Sequence, residues 1–536
     1  MQAENKIPLP EFDELIGFAD ETPSEEDVLK RFTAALVVST GLLMGLTGNL
    51  LFHANPIGIN VVLYVALCLL AAFGLLVYLQ RPIVRKHAMF ALPAAIFALL
   101  LGVRSAPQLV IFNAAAMLGS LLIVVHFTGT SRFIGGHWVR PLQRTLDTIM
   151  TGWIESLQAT VPDSLRWFGR AELNNQHLAN MRSVLRGVLI TLPVVAVFTL
   201  LLSSADAVFG DFTEQTLSFF LPESAGDVIE QVILIALFTL MSLVAFWTML
   251  NESTDTTSES SSLEKTRRFR LNMIEASTVL GSVNALFVAF VLIQARYFFG
   301  GEANITAQGY TYAEYARRGF YELLAVSCMT MLLLVALESL TYRKREEENT
   351  FRVLVVLMVT LTFVILIAAS RRLNLYENAY GYTRIRVMSG TFMIWLAALL
   401  GVLLFAILRH RREVFWIGCI ATGLGFILTL NLMNMDGFIA GHNIARFEDT
   451  GKLDVGYLLS LSDDAIPSIA PLIDDRDLGT SERDHLLRGL GARLYQLDRD
   501  HETRGMFGYH IGKARAWKTL DSHRDTLLPY VYNRTR

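Results

Sequence analysis

Apolar residues in this chain gather in blocks of about 20, separated by shorter polar stretches. A helix rises about 1.5 Å per residue, so a block of that length matches a hydrocarbon core of roughly 30 Å. Eleven blocks are expected spans, at roughly 32–52, 58–79, 87–103, 108–127, 184–203, 228–250, 271–297, 319–340, 351–369, 387–408 and 414–432. The third is the shortest. The pattern predicts an all-α polytopic membrane protein of about 11 transmembrane helices with a small α-helical C-terminal extramembrane domain. It divides the chain into an acidic segment (1–31), spans one to four (32–127), a polar segment (128–183), spans five to eleven (184–432) and a tail (433–536). No internal repeat of the kind found in many secondary transporters is visible.

The segments outside the blocks carry their own patterns. In 128–183, Leu142, Leu146, Ile149, Trp153 and Leu157 recur at three- and four-residue spacing, flanked by Arg140, Arg144 and Arg166. That is one apolar helix face, expected to lie on the inner leaflet, with a packed cytoplasmic hairpin as the alternative. The run NESTDTTSESSSL at 251–263 reads as a polar linker. In the tail, Ser481 and Asp484 predict a helix N-cap followed by an acid in the first turn. Leu487, Leu490, Leu494 and Leu497 then form an apolar stripe. A domain of this size is near the lower limit for standing alone, so it is expected to lean on the membrane part.

Charge sets the orientation. Arg81, Arg85 and Lys86, then Lys265, Arg267, Arg268 and Arg270, then Arg343, Lys344 and Arg345, then Arg409, Arg411 and Arg412 fall in alternate loops. Lys30 and Arg31 precede the first span on the same side. The positive-inside rule assigns that side to the cytoplasm, with the N-terminus inside and the tail outside. The first 31 residues are acidic, so no cleavable signal peptide is expected. Composition agrees with a membrane protein: 53% hydrophobic and only 18% charged, against roughly a quarter charged in soluble chains. The net charge of −3 carries no functional signal, and no nucleic-acid partner is expected. Cys68, Cys328 and Cys419 each lie inside an apolar block, which fits neither a disulfide framework nor a metal cluster.

Three outer-face patches break the charge pattern: QARYFFGGE (294–302), TYAEYARRGFYELL (311–324) and SRRLNLYENAYGYTRIRV (370–387). They hold seven arginines (Arg296, Arg317, Arg318, Arg371, Arg372, Arg384, Arg386) against four acids (Glu302, Glu314, Glu322, Glu377). Thr311 with Glu314 reads as a capping box, and Glu314, Arg318 and Glu322 share a helix face at i, i+4. Tyr376 and Tyr380 are also i, i+4, Gly381 is a helix terminator, and Thr383 can cap span ten. The last patch is therefore expected to be a short interfacial helix, a glycine turn and a membrane entry. Arginine forks and tyrosines on one face suit an anionic ligand such as a lipid headgroup or small anion. The competing account is that Arg–Glu pairs staple helix ends while the tyrosines form an aromatic belt.

Two acids, Glu275 and Glu338, fall inside spans near the cytoplasmic ends, beside Arg270 and Arg343. Snorkelling or local pairing accounts for both. No P-loop, nucleophile elbow, H-E-x-x-H or C-x-x-C motif is present, so no cofactor, metal or catalytic residue is assigned. The tail histidines (His442, His485, His501, His510, His523) lack ligand spacing and read as surface residues.

The strings YAEYARRGFYELL, LYENAYGYTRIRV, NMDGFIAGHNIARF (434–447) and YLLSLSDDAIPSI (457–469) resemble a family of bacterial integral membrane proteins known as domain of unknown function 4153/4173. The similarity covers the second half of the chain. Where the family pattern has Asn-Pro-Asp, this sequence has Met435 in the middle, and Gly441-His442 stands in for an Arg-Tyr pair. The resemblance implies a bacterial inner-membrane location and brings no activity. The leading expectation is a non-catalytic protein that binds, senses or transports an anionic envelope component, with membrane lipids as partners. A membrane-embedded transferase acting on a lipid-linked substrate ranks second, because the outer loops FHANPIGIN and GVRSAPQ hold no acid. An envelope scaffold ranks third.

Overall fold

The structure is a computed structural model that describes residues 25–53, 55–80, 83, 88–127, 230–242 (save 233, 236 and 240), 273–299, 320–341, 344–503 and 505–531. Among these it is helical, with no strand. The apolar blocks form α1 (Glu25–Phe52), α2 (Ile59–Tyr78), α3 (Ala91–Leu101), α4 (Pro107–Phe127), α5 (Met273–Phe299), α6 (Phe320–Leu340), α7 (Glu348–Tyr380), α8 (Arg384–Leu408) and α9 (Arg412–Leu432). An apolar helix, Glu230–Thr239, lies between α4 and α5 in sequence. The tail forms α10 (Met435–Thr450), α11 (Val455–Leu459), α12 (Ile466–Ile469), α13 (Thr480–Thr503), α14 (Ile511–Asp521) and α15 (Arg524–Val531).

Six helical stretches are long and apolar enough to cross a membrane: Ala35–Phe52, Ile59–Tyr78, Pro107–Val125, Glu348–Tyr380, Arg384–Leu408 and Val414–Leu432. Ala91–Leu101, Glu230–Thr239, Ala276–Leu292 and Leu323–Glu338 are apolar but shorter. The expected span at 184–203 and the amphipathic segment at 128–183 lie outside the described residues.

The chain divides into two compact units. The first is Met1–Asn49, Val77–Gln80 and Thr148–Thr248. Within it the Gly45 and Gly48 face of α1 lies against Glu230–Thr239; a Cβ on Gly48 would sit 2.5 Å from the Phe238 ring. The second unit is Leu50–Leu76, Arg81–Asp147 and Met249–Arg536. One of its apolar cores is built from α5 to α9 around residues such as Phe320, Phe351, Met358, Ile365 and Leu400. Lipid tails are as apolar as these side chains, so tight packing rather than exclusion from water holds such helices together. Glycine provides that closeness between α8 and α9. A Cβ on Gly418 would meet Val402 at 2.3 Å, and one on Gly425 would meet the Trp395 ring at 2.3 Å. Trp395 Nε1 also donates to Thr429 Oγ1 across the same interface, at 3.1 Å.

The tail shares a core with the ends of the spans. Leu486, Leu487, Leu490, Leu494 and Leu497 of α13 are buried with Ile466, Ile469 and Leu520, and the same cluster contains Ala106, Leu109, Val387 and Leu430. The leucine stripe is therefore as expected. Asn434 makes the joint between α9 and α10 as a single left-handed residue, φ 53° and ψ 70°. Asparagine tolerates that conformation better than most side chains. Met435 follows as the first residue of α10, a position that also favours proline.

Connections sort by end. The 55–59 loop meets the tail where the Ile59 N–H donates to the Tyr509 carbonyl at 3.0 Å, and the 102–106 loop meets it where the Ile511 N–H donates to the Gly102 carbonyl at 2.8 Å. The α7–α8 turn reaches the same tail through Asn443. At the opposite end, Arg352 pairs with Glu348 at 3.5 Å beside His410.

Three local expectations change. The patch at 370–380 is not a separate interfacial helix; it continues α7, whose 33 residues span about 50 Å and overrun the bilayer. Thr383 occupies the N-cap of α8, but its side chain makes no cap bond. Helix α13 starts at Thr480, so Ser481 lies inside its first turn, and the Gly479 carbonyl accepts from the Arg483 N–H at 2.8 Å.

Replacing Gly425 with Leu forces Trp395 out of its place, and overpacking of this kind costs about 1–3 kcal/mol. A lowered thermal midpoint of the purified protein in detergent, followed by size-exclusion chromatography, is the expected outcome.

Candidate functional site at the α7–α8 turn

Helix α7 carries Arg371, Arg372, Tyr376, Glu377 and Tyr380 on its last three turns and stops at Gly381. Gly381 has φ 79° and ψ 178°, and a Cβ there would also meet Asn443 Oδ1 at 2.7 Å. Both facts exclude other residues. Two α10 side chains fasten the turn. The Tyr382 N–H donates to Asn443 Oδ1 at 2.7 Å, and Asn443 Nδ2 donates back to the Tyr382 carbonyl at 2.9 Å. Arg446 donates to the Asn378 carbonyl at 3.0 Å and the Ala379 carbonyl at 2.7 Å. These are carbonyls that the end of a helix leaves without partners, and a cation suits that end of the dipole.

Arg384 belongs to a buried ion pair. Its Nε donates to Asp436 Oδ1 at 2.8 Å and its Nη2 to Asp436 Oδ2 at 2.6 Å, a fork with no exposed carboxylate surface. Asp436 also accepts the Ser462 N–H at 2.8 Å. Burial alone would raise the Asp436 carboxyl, but the Arg384 and Ser462 donors outweigh it and hold the group below the usual carboxylate range. The Arg384 N–H donates to Tyr457 Oη at 3.0 Å, and burial raises that phenol.

A second joint lies at the start of α4. Asp464 Oδ2 accepts the N–H groups of Ser105 (2.7 Å) and Ala106 (3.2 Å), while its own N–H donates to Ser105 Oγ at 3.2 Å. Burial raises this carboxyl, with the Ser105 N–H and Arg104 opposing. His510 is 5% exposed; its Nδ1 accepts the Lys513 N–H at 3.3 Å and its Nε2 faces the Arg104 carbonyl at 3.3 Å. Of the tail histidines, this one is structural and not a surface residue.

Arg386 differs from Arg384. Its Nη1 donates to the Gly381 carbonyl, and its guanidinium lies 3.9 Å above the Tyr376 ring, which stacks edge-on with Tyr380. It makes no ion pair with any described residue. Beside it, Glu377 is only 6% exposed, yet its carboxylate has no hydrogen bond or ion pair to any described residue. Burial raises the Tyr382 phenol, and the Glu377 charge adds to that shift. The Tyr382 ring contacts Phe438 at 5.8 Å and His442 at 5.0 Å, and His442 lies 3.9 Å from Phe438. His442 Nδ1 faces the Phe438 carbonyl at 2.9 Å. This group of Tyr376, Glu377, Tyr382, Arg386 and His442 is the candidate site.

The predicted residues thus separate. Tyr376, Glu377 and Arg386 come together. Arg384 goes to the tail, Tyr380 is 52% exposed, and Arg371 and Arg372 sit on the preceding turns of α7. Glu314, Arg317 and Arg318, with the Thr311 capping box, lie outside the described residues. So do the side chains of Arg296, Glu322 and Glu275, although their backbones fall in α5 and α6. Glu338 is half-buried near the end of α6. The excess of arginine over acid counted within three loops was incomplete, because the partner of Arg384 comes from α10. Asp436, Asp464, Asn443, Arg446, Tyr382 and His442 were missed as site or joint residues. The available signal was the pair of strings at 434–447 and 457–469, which place carboxylates and amides inside apolar runs.

A family model described as Domain of unknown function (DUF4153) matches residues 91–472. The chain belongs to this family. The DUF4153 match begins at α3, well before the second half of the chain, and takes in the candidate site, Asp436 and Asp464. Helices α13 to α15 and His510 fall beyond it. No curated protein and no solved structure matches the chain.

Replacing Asp436 with Asn leaves Arg384 without its charge partner, and breaking a buried pair costs about 3–5 kcal/mol. A lowered-pKa carboxylate contributes stability above its unfolded pKa of about 3.9, and loses it as pH falls through the lower folded value. Thermal midpoints of the native protein should therefore drop below about pH 4, and Asp436→Asn should start lower and flatten that drop.

Proposed function

We propose that this DUF4153 protein is a bacterial inner-membrane protein, with its N-terminus inside and its tail outside, that binds an anionic envelope component at the outer end of α7 and α8. The observation that carries this is Arg386. Its guanidinium is held in place by a ring face and one carbonyl, yet its other N–H donors meet no described carboxylate. A forked cation fixed in this way is prepared for phosphate or carboxylate at little entropic cost. The adjoining Tyr376 and Tyr380 rings support this reading, since tyrosine is favoured at the level of the headgroups. A lipid headgroup or a small anion fits. Glu377 favours a second reading, a transferase on a lipid-linked substrate, since a buried carboxyl free of partners can act as a general acid or base.

Two experiments test this. Alkaline phosphatase fused after Arg536 should be active and a GFP fusion dark; the reverse pattern puts the site on the wrong face. Native mass spectrometry of the purified protein should show retained phosphatidylglycerol. Arg386→Gln should weaken that retention about tenfold, the worth of one charge-assisted hydrogen-bonded contact.

A further inference from the structure

We infer that the ligand of this site carries an ammonium group beside its anionic group: it is a zwitterion of the phosphoethanolamine type. This rests on the outer-face binding proposed above and adds the role of Glu377. Glu377 is 6% exposed and its carboxylate makes no hydrogen bond or ion pair with any described residue, which leaves it available to a cationic partner. The nearest cation is Arg386, close enough to act on Glu377 electrostatically but not in contact with it. Arg386 cannot swing over to close the pair without giving up both the Tyr376 face and the Gly381 carbonyl. Gly381, in turn, is fixed by its positive φ and by Asn443. As they stand, the acid and the guanidinium make no ion pair with each other.

A ligand with one charge would partner one of these groups and leave the other without a partner. A ligand with both charges satisfies each, with its phosphate on Arg386 and its ammonium on Glu377. The flanking rings agree. Tyr382, in the same turn, contacts Phe438 and His442, and ring faces attract ammonium groups. A headgroup at the end of two spans and a free zwitterion in the outer space share this chemistry.

The test uses the full-length protein in detergent with three probes: phosphatidylethanolamine, phosphatidylglycerol with the same acyl chains, and soluble phosphoethanolamine. Retained lipid is counted by native mass spectrometry, and thermal midpoints are measured alongside. The expected result is about a tenfold preference for phosphatidylethanolamine over phosphatidylglycerol. Glu377→Gln should bring that ratio close to one, Glu377→Asp should keep part of it, and Arg386→Gln should weaken both lipids. A rise in midpoint with phosphoethanolamine alone, lost in Glu377→Gln, assigns the free zwitterion instead of the lipid. A wild-type ratio near one, or an undiminished ratio in both Glu377 variants, overturns the ammonium site. If that happens while Arg386→Gln still loses phosphatidylglycerol, the anion site stands. Wild-type protein that retains neither lipid and ignores phosphoethanolamine overturns both.

Discussion

Asp436 has no exposed side-chain surface, and it keeps its charge because Arg384 and the Ser462 N–H reach it together. Those donors come from two places in the chain, the first turn of α8 and the loop before Asp463, and they meet on α10, where Asp436 itself sits. Removing any one would strand a charge in a place where water cannot help. The pair therefore fixes where α8 enters the membrane relative to the tail. The α7–α8 turn, held by Asn443 and Arg446 from the same helix α10, takes its position from that joint.

Asp464 repeats the logic at α4. A carboxylate at a helix start is normally supplied by the residue just before it, as in an ordinary N-cap. Here it arrives from more than 350 residues away and caps Ser105 and Ala106. A local cap stabilises one helix; a distant one also ties that helix to whatever carries the acid. The leucines of α13 are buried in one cluster with Ala106, Leu109, Val387 and Leu430, since helices in proteins gain most of their stability from tertiary packing. The tail and the ends of the apolar helices thus share one core.

The apolar blocks were legible because a membrane span needs only length and hydropathy. The leucine stripe of α13 and the stop at Gly381 were legible for similar reasons: periodicity and positive φ are local properties. What could not be read was pairing. Arg384 and Arg386 are two residues apart and look alike in sequence, yet one faces Asp436 and the other faces Tyr376. A helix turns about 100° per residue, so positions two apart point to nearly opposite sides. Which side holds an acid depends on α10, some 50 residues later. The same limit made 370–380 look like a separate helix. Its polar side chains signalled an interface, but nothing in them breaks a helix before glycine.

That contrast between the two arginines is what separates architecture from function at this turn. A structural arginine in a low-dielectric place comes with its own carboxylate, as Arg384 does. Arg386 is held instead by a ring face and a carbonyl, groups that carry no net charge, and it makes no ion pair with any described residue. Closing a pair with the nearby Glu377 would serve stability, and the chain does not do so. In the proposed binding mode the fold supplies both charges and a bound molecule supplies their partners.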